Sequence, residues 1–170
     1  MARSEEPIVP DRVAAILTTS DRQVLTVRHR RSDGTEYRTL PGGMMRESDP
    51  THEDALRRVL RGRLTGELVV GALVHVARTG AQDEYVFCAW TEDGRLPEPD
   101  PDGAEPAPGA FVWDHVVYDK SAIHAAGLVP HELTYFLAGH CHHGHDPREL
   151  PDVRSRRPPV RRRHGRPPRA

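Results

Sequence analysis

The side chains best suited to chemistry are concentrated between Met44 and Arg61. Four carboxylates, Glu47, Asp49, Glu53 and Asp54, stand among four arginines, Arg46, Arg57, Arg58 and Arg61. Two opposite chemistries are open to such a set. Loop carboxylates, here Glu47 and Asp49, can hold one divalent cation that keeps part of its water shell. Guanidiniums one helical turn apart, here Arg58 and Arg61 with Arg46 joining from the loop, can grip a phosphate or carboxylate through charge-assisted, bidentate hydrogen bonds. A third reading makes them a solvated helix face, with Asp54–Arg58 and Glu53–Arg57 as i,i+4 surface pairs.

A second dense group is His140-Cys141-His142-His143-Gly144-His145-Asp146. Neutral imidazole suits Ni²⁺, Cu²⁺ and Zn²⁺, but a structural zinc site draws ligand pairs from two separated segments. No second pair is evident, so adventitious binding is expected and no metal site is assigned. Beyond it runs RSRRPPVRRRHGRPPR, residues 154–169. This stretch would attract polyanions by counterion release, without specificity, because it has no aromatic residue on which a base can stack. Cys88, between Phe87 and Ala89, reads as a core thiol. Ser20, Ser48 and Ser121 lack the G-x-S-x-G context of a serine nucleophile.

The elements that must position these groups can be read from periodicity. Arg12–Thr18, Gln23–His29 and Glu36–Leu40 are strand-like runs separated by turn-forming residues, and Pro41-Gly42-Gly43 opens a loop. After Asp49-Pro50, the residues Ala55, Leu56, Val59 and Leu60 fall on one face at a period of 3.6, with Asp49 or Thr51 as cap and Glu53 and Asp54 in the first turn. Gly62 to Gly66 ends that helix. Two longer strands follow at Leu68–Ala77 and Tyr85–Trp90, then a solvated proline-rich loop over 92–110, a strand at Phe111–Tyr118, and a helix at Pro130–Ala138. Strands with helices among them predict a mixed α/β or α+β domain.

The segment LPGGMMRESDPTHEDALRRVLRGRLT, residues 40–65, resembles the Nudix box, the loop–helix–loop signature G-x5-E-x7-R-E-U-x-E-E-x-G-U of Nudix hydrolases. The preceding VRHRRSDGTEYRTLPGG and the later Trp113 with VPHELTYFLA look like the rest of that family's pattern, so the resemblance spans roughly residues 10–138. It implies an α/β/α sandwich with a mixed sheet and, ancestrally, hydrolysis of a nucleoside diphosphate linked to another group.

Laid without gaps, Gly43, Asp49, Arg57 and Val59 match box positions. Arg58, Arg61 and Gly62 stand where three glutamates would hold the cations that bridge the diphosphate. The local formal charge thereby changes from −3 to +2. A divalent cation about 5 Å from one arginine would meet roughly 6–7 kcal/mol of repulsion at an effective dielectric near 20, and arginine does not titrate away. The resemblance also implies that some members take a base from a later loop, for which Glu92, Glu98 and Glu105 are candidates here.

The expectation is therefore a divergent Nudix-like protein, a pseudoenzyme that binds an anionic, nucleotide-like small molecule through Arg58, Arg61 and Arg46. One alternative is a live hydrolase, dependent on Mg²⁺ or Mn²⁺, with relocated ligands that use Glu47, Asp49 or the 92–110 loop. Another is an interaction protein that uses its basic tail.

Composition bounds the rest. The 170 residues suit one domain, read as a flexible lead over 1–10, a folded unit over 11–138 and a disordered His/Arg/Pro-rich tail over 139–170. Residues 147–170 carry nine arginines against Glu149 and Asp152, a net of +7. Since the whole chain is at −1, residues 1–146 carry −8. Lys120 is the only lysine, a bias that suggests a GC-rich bacterial genome. Two cysteines without a CxxC pair argue against a disulfide framework. No charged-then-apolar leader or membrane-length apolar run is visible, so a soluble, cytoplasmic protein without membrane contact is expected.

Overall fold

The computed structural model describes residues 9–61, 63–64, 66–80, 82–93 and 111–155, and of Phe111 the backbone alone. The centre of the fold is β1 (Arg12–Leu17), buried on both faces because its apolar residues do not alternate with polar ones. It pairs antiparallel with β4 (Gly42–Met44) and parallel with β6 (Gln82–Thr91). A long β5 (Leu68–Thr79) completes this mixed sheet in the order β4-β1-β6-β5. A second, antiparallel sheet joins β3 (Glu36–Thr39), β2 (Gln23–Arg30) and β7 (Phe111–Val117) in the order β3-β2-β7. The mixed sheet expected from the sequence is the four-stranded one, and the antiparallel sheet stands beside it.

Helices cover both sides. The core containing Val13, Leu17 and Phe87 packs against α1 (His52–Arg61). The core containing Ala14, Ile16 and Val86 packs against α2 (Lys120–Ala126) and α3 (His131–His142). The α+β sandwich expected from the sequence is the architecture observed. Ala55, Leu56, Val59 and Leu60 are the buried face of α1, as their spacing predicts.

Two glycines set how closely the pieces fit. A β-carbon on Gly42 would stand 2.1 Å from the carbonyl oxygen of Val13, and one on Gly43 would stand 3.0 Å from both methyls of Val59. The diglycine therefore lets β4 lie against β1 and α1 lie against β4.

The chain beyond Gly139 corrects the expectation of disorder as far as Ser155. α3 continues to His142, and Pro147–Glu149 and Val153–Ser155 form short 3₁₀ turns. Leu150 is buried in the α2–α3 core and Val153 packs on the α1 core, so this strap crosses the edge of the mixed sheet at β5. There the Asp152 carboxylate accepts the amide of Leu73 at 3.3 Å, and Arg154 bonds both Asp152 and Glu53 of α1. The strap's apolar anchors are few, and a composition dominated by arginine conceals them. Residues 1–8, 94–110 and 156–170 lie outside the described residues, and with them Glu98, Glu105 and most of the basic tail. Among the described residues, no helix is long and apolar enough to cross a membrane.

Candidate functional site

The loop between β4 and α1 is built around two short polar residues. Thr51 caps α1: its hydroxyl accepts the Asp54 amide at 3.1 Å and donates to the Asp54 carboxylate at 2.7 Å. His52 pins the same end to the sheets, stacking on Tyr85 with ring centroids 3.8 Å apart and reaching the Asp11 carboxylate at 3.1 Å.

Asp49 does not cap the helix. It folds the loop by accepting the Arg46 amide at 2.7 Å, and it receives the guanidinium of Arg58 side-on. Arg58 Nε donates to Oδ1 at 2.7 Å and Nη2 to Oδ2 at 2.6 Å, while Nη2 also reaches the Met44 carbonyl at 3.1 Å. The Asp49 side chain is 6% exposed. The Arg58 hydrogen bonds, with the Arg46 amide, hold its carboxyl down at about 2.

The expected surface pairs therefore do not form. Arg58 turns back nine positions to Asp49. Arg57 meets Asp54 at 3.3 Å, and Glu53 pairs with Arg154 of the strap. Arg61 is exposed and shares an open groove of about 500 Å³ with Arg57, Gly66, Glu67 and Leu68. The structure thus joins Arg61 to Arg57 and turns Arg58 away from both. Arg46 and Glu47 are exposed on the loop, and Glu92 is exposed after β6.

A second set of charges was not legible in the sequence. Arg63, just past α1, donates Nη1 to the Gly42 carbonyl at 3.1 Å. Arg12 donates Nε to Glu84 at 2.9 Å, and Glu84 is only 3% exposed. Burial pushes the Glu84 carboxyl up, against the opposing pull of Arg12. On β2, His29 meets the Thr39 hydroxyl at 2.9 Å and stacks on Tyr37. Burial, then the charges of Arg12 and Arg63, push its imidazole below the usual histidine range. Arg12 and Arg63 lie far apart in sequence, and only the β1–β4 pairing brings them into one neighbourhood.

The divalent cation that the Nudix resemblance implies does not fit this donor set. Arg58 and Arg61 bring guanidiniums to two of the three expected carboxylate positions, and the carboxylate of Asp49 is already engaged. Among the described residues, no three His, Cys, Asp or Glu side chains are grouped to hold an ion. In the histidine-rich segment, His140 and His145 face each other with Nδ1 atoms 3.1 Å apart. Cys141 turns inward there, giving its Sγ–H to the Tyr118 carbonyl. Cys88 is a buried core thiol, and burial pushes it up and away from the thiolate form.

No family model and no curated protein sequence matches this chain. Its fold does match solved structures. A NUDIX hydrolase from Nitrosomonas europaea superposes with a TM-score of 0.59 at 17% identity, over 84% of this chain and 92% of that one. The E. coli ORF135 protein gives 0.52 at 19% identity, over 76% of this chain and 87% of that one. A bifunctional NMN adenylyltransferase/ADP ribose pyrophosphatase from Francisella tularensis, solved with AMP and a manganese ion, gives 0.51 at 21% identity. That match takes in 81% of this chain and 44% of the bifunctional one. The fold is therefore the Nudix fold. At these identities the likeness carries the architecture and leaves the chemistry to the site itself.

Proposed function

We propose that this chain is a Nudix-fold binding protein for an anionic, nucleotide-like small molecule, without metal-dependent diphosphate hydrolysis. The observation that carries the reading is the bidentate closure of Arg58 on Asp49. It engages the one box carboxylate that the sequence retains, so a cation has no anionic seat on this face of α1. Where the relocated-ligand alternative uses Asp49, the same ion pair counts against it.

The one-residue offset between the box arginine and the arginine that meets Asp49 supports the same conclusion. If the pattern's arginine is Arg58, the glutamate positions become Val59, Gly62 and Arg63. Val59 packs against Gly43 and Arg63 donates to the Gly42 carbonyl. In either register, an arginine, a valine or a glycine replaces each carboxylate.

The anion is held by Arg61 with Arg57, whose groove of about 500 Å³ falls within the usual range for small-molecule sites. Arg57 shares its charge with Asp54 across a long, exposed contact that a phosphate can outcompete. Arg46 is exposed near Asp49 and extends the positive surface on the loop side. Arg58 drops out as a direct contact, because reaching a ligand would strip Asp49 of its partner.

The test is thermal melting of the full chain with ADP-ribose and ATP in EDTA. The expected result is a concentration-dependent rise in melting temperature that Arg61→Glu removes. A rise that needs Mg²⁺, or one that Arg61→Glu and Arg57→Glu both leave intact, would overturn the assignment.

A further inference from the structure

The four histidines between His140 and Asp146 are not equivalent, because the backbone sorts them. His140 lies in the last turn of α3, and His145 follows five residues on, where the strap begins. The His145 amide donates to the His140 carbonyl at 3.0 Å, and the Gly144 amide donates to the Cys141 carbonyl at 3.0 Å. Gly144 turns the chain with φ of +71°, a helix stop that favours glycine. Buried Cys141 before the turn and buried Pro147 after it anchor the reversal. The His140 ring is further held edge-on to Phe136, with centroids 4.6 Å apart.

This reversal is what sets the two Nδ1 atoms 3.1 Å apart. Two ligand nitrogens each about 2.0–2.1 Å from one ion stand about 2.8–3.4 Å apart, at bond angles of about 90–110°. The observed spacing falls inside that range. The hydrogen bond between the rings keeps a proton on one Nδ1. Once that proton sits on Nε2 of the same ring, both Nδ1 lone pairs are available to one ion. His145 is exposed, so water can complete the ion's coordination. The adjacent Asp146 carboxylate is taken by Arg148 at 2.6 Å. Among the described residues no group of three His, Cys, Asp or Glu could hold an ion, so the protein's share of the site is two nitrogens.

We infer that His140 and His145 form a two-histidine chelate for a divalent transition ion of the kind imidazole suits, Zn²⁺, Cu²⁺ or Ni²⁺. Mg²⁺ is not a candidate, because it demands oxygen ligands. The bound ion ties the end of α3 to the start of the strap that crosses β5. This replaces the expectation of indiscriminate binding along the segment: His142 and His143 share the stretch but stand outside the pair. Neither ligand lines the arginine groove beside α1, so the site stands or falls independently of the function proposed there.

Titration of the full chain with Zn²⁺ alone, in a buffer that does not chelate it, tests this when followed by imidazole nitrogen resonances. The first equivalent should move Nδ1 of His140 and His145, leave their Nε2 protonated and raise the melting temperature. Mg²⁺ at the same concentration should do neither. The fold presents the second nitrogen at a high effective concentration, so His140→Gln or His145→Gln should each weaken the first equivalent about tenfold or more. Under the same reasoning His142→Gln and His143→Gln should change it less than about twofold.

Equal losses in all four variants would mean adventitious binding along the segment and would overturn the site. First-equivalent shifts at Nε2, or at histidines outside the pair, would overturn it as well. So would a failure to saturate below about 1 mM Zn²⁺. Because His145 is exposed, its variant tests the ligand without disturbing the core.

Discussion

Asp49 and Arg58 form a two-point ion pair across nine residues, with both guanidinium–carboxylate distances below 2.8 Å. The pair closes the loop between β4 and α1 and keeps the Asp49 carboxyl well below the usual range, at about 2. A carboxyl depressed in the folded state stabilises fully above its unfolded pKa. That stabilisation is lost as pH falls through the folded one. The window here is from about pH 4 down to about pH 2. Asp152, held at about 2 by Arg154, loses its contribution over the same range. Acid titration of the melting temperature should therefore be shallower between pH 4 and 2 in Asp49→Asn and in Arg58→Met than in the parent. Equal slopes in all three proteins would show that the pair does not persist in solution.

Arg12 guards a buried carboxylate. Replacing it with methionine leaves Glu84 charged and unpaired in the sheet interior. Since Arg12 is itself partly exposed, the expected loss is about 2–3 kcal/mol at pH 7. Burial already raises the Glu84 carboxyl, so the penalty on its charge grows as pH rises through that value and shrinks below it. Urea denaturation of Arg12→Met should show a smaller deficit at pH 5 than at pH 7. A deficit independent of pH would place the effect in packing.

The glycines differ sharply in what they tolerate. Gly42→Ala drives a methyl into the backbone of Val13 and should destabilise by about 3 kcal/mol or more, or prevent folding. Gly139 lies inside α3 with open space around it, so Gly139→Ala should stabilise by about 0.5–1 kcal/mol. Chemical denaturation of the two variants checks both signs in one experiment.

The strap is held by side chains with real burial. Truncating Leu150 to alanine should remove about 2–3 kcal/mol. A loss below about 0.5 kcal/mol would mean that residues 143–155 do not pack across β5 in solution.

The sequence makes some of this legible and conceals the rest for physical reasons. The buried face of α1 follows directly from its 3.6 period, and β1 from its unbroken apolar run. α2 carries no apolar period, because only Ile123 of its seven residues is buried, although two local signals mark it. Asp119 accepts the Ala122 amide at its start, and Gly127 ends it in the left-handed region. Local spacing rules reach four residues along a helix, so they predict Asp54–Arg58. The observed Asp49–Arg58 pair depends on how the loop folds back, which periodicity does not encode. The neighbourhood of Arg12, His29 and Arg63 depends on strand pairing, and is likewise invisible before the fold is known.

The most direct test of the central claim is phosphate release from a panel of ADP-ribose, NADH, nucleotide sugars and nucleoside triphosphates. A coupled phosphatase reports the products, and each substrate is assayed with Mg²⁺, with Mn²⁺ and with EDTA. An arginine-faced α1 whose retained carboxylate is locked to Arg58 predicts no metal-dependent release from any member of the panel. Turnover that appears with Mg²⁺ or Mn²⁺, disappears in EDTA and is lost in Asp49→Asn would contradict the account.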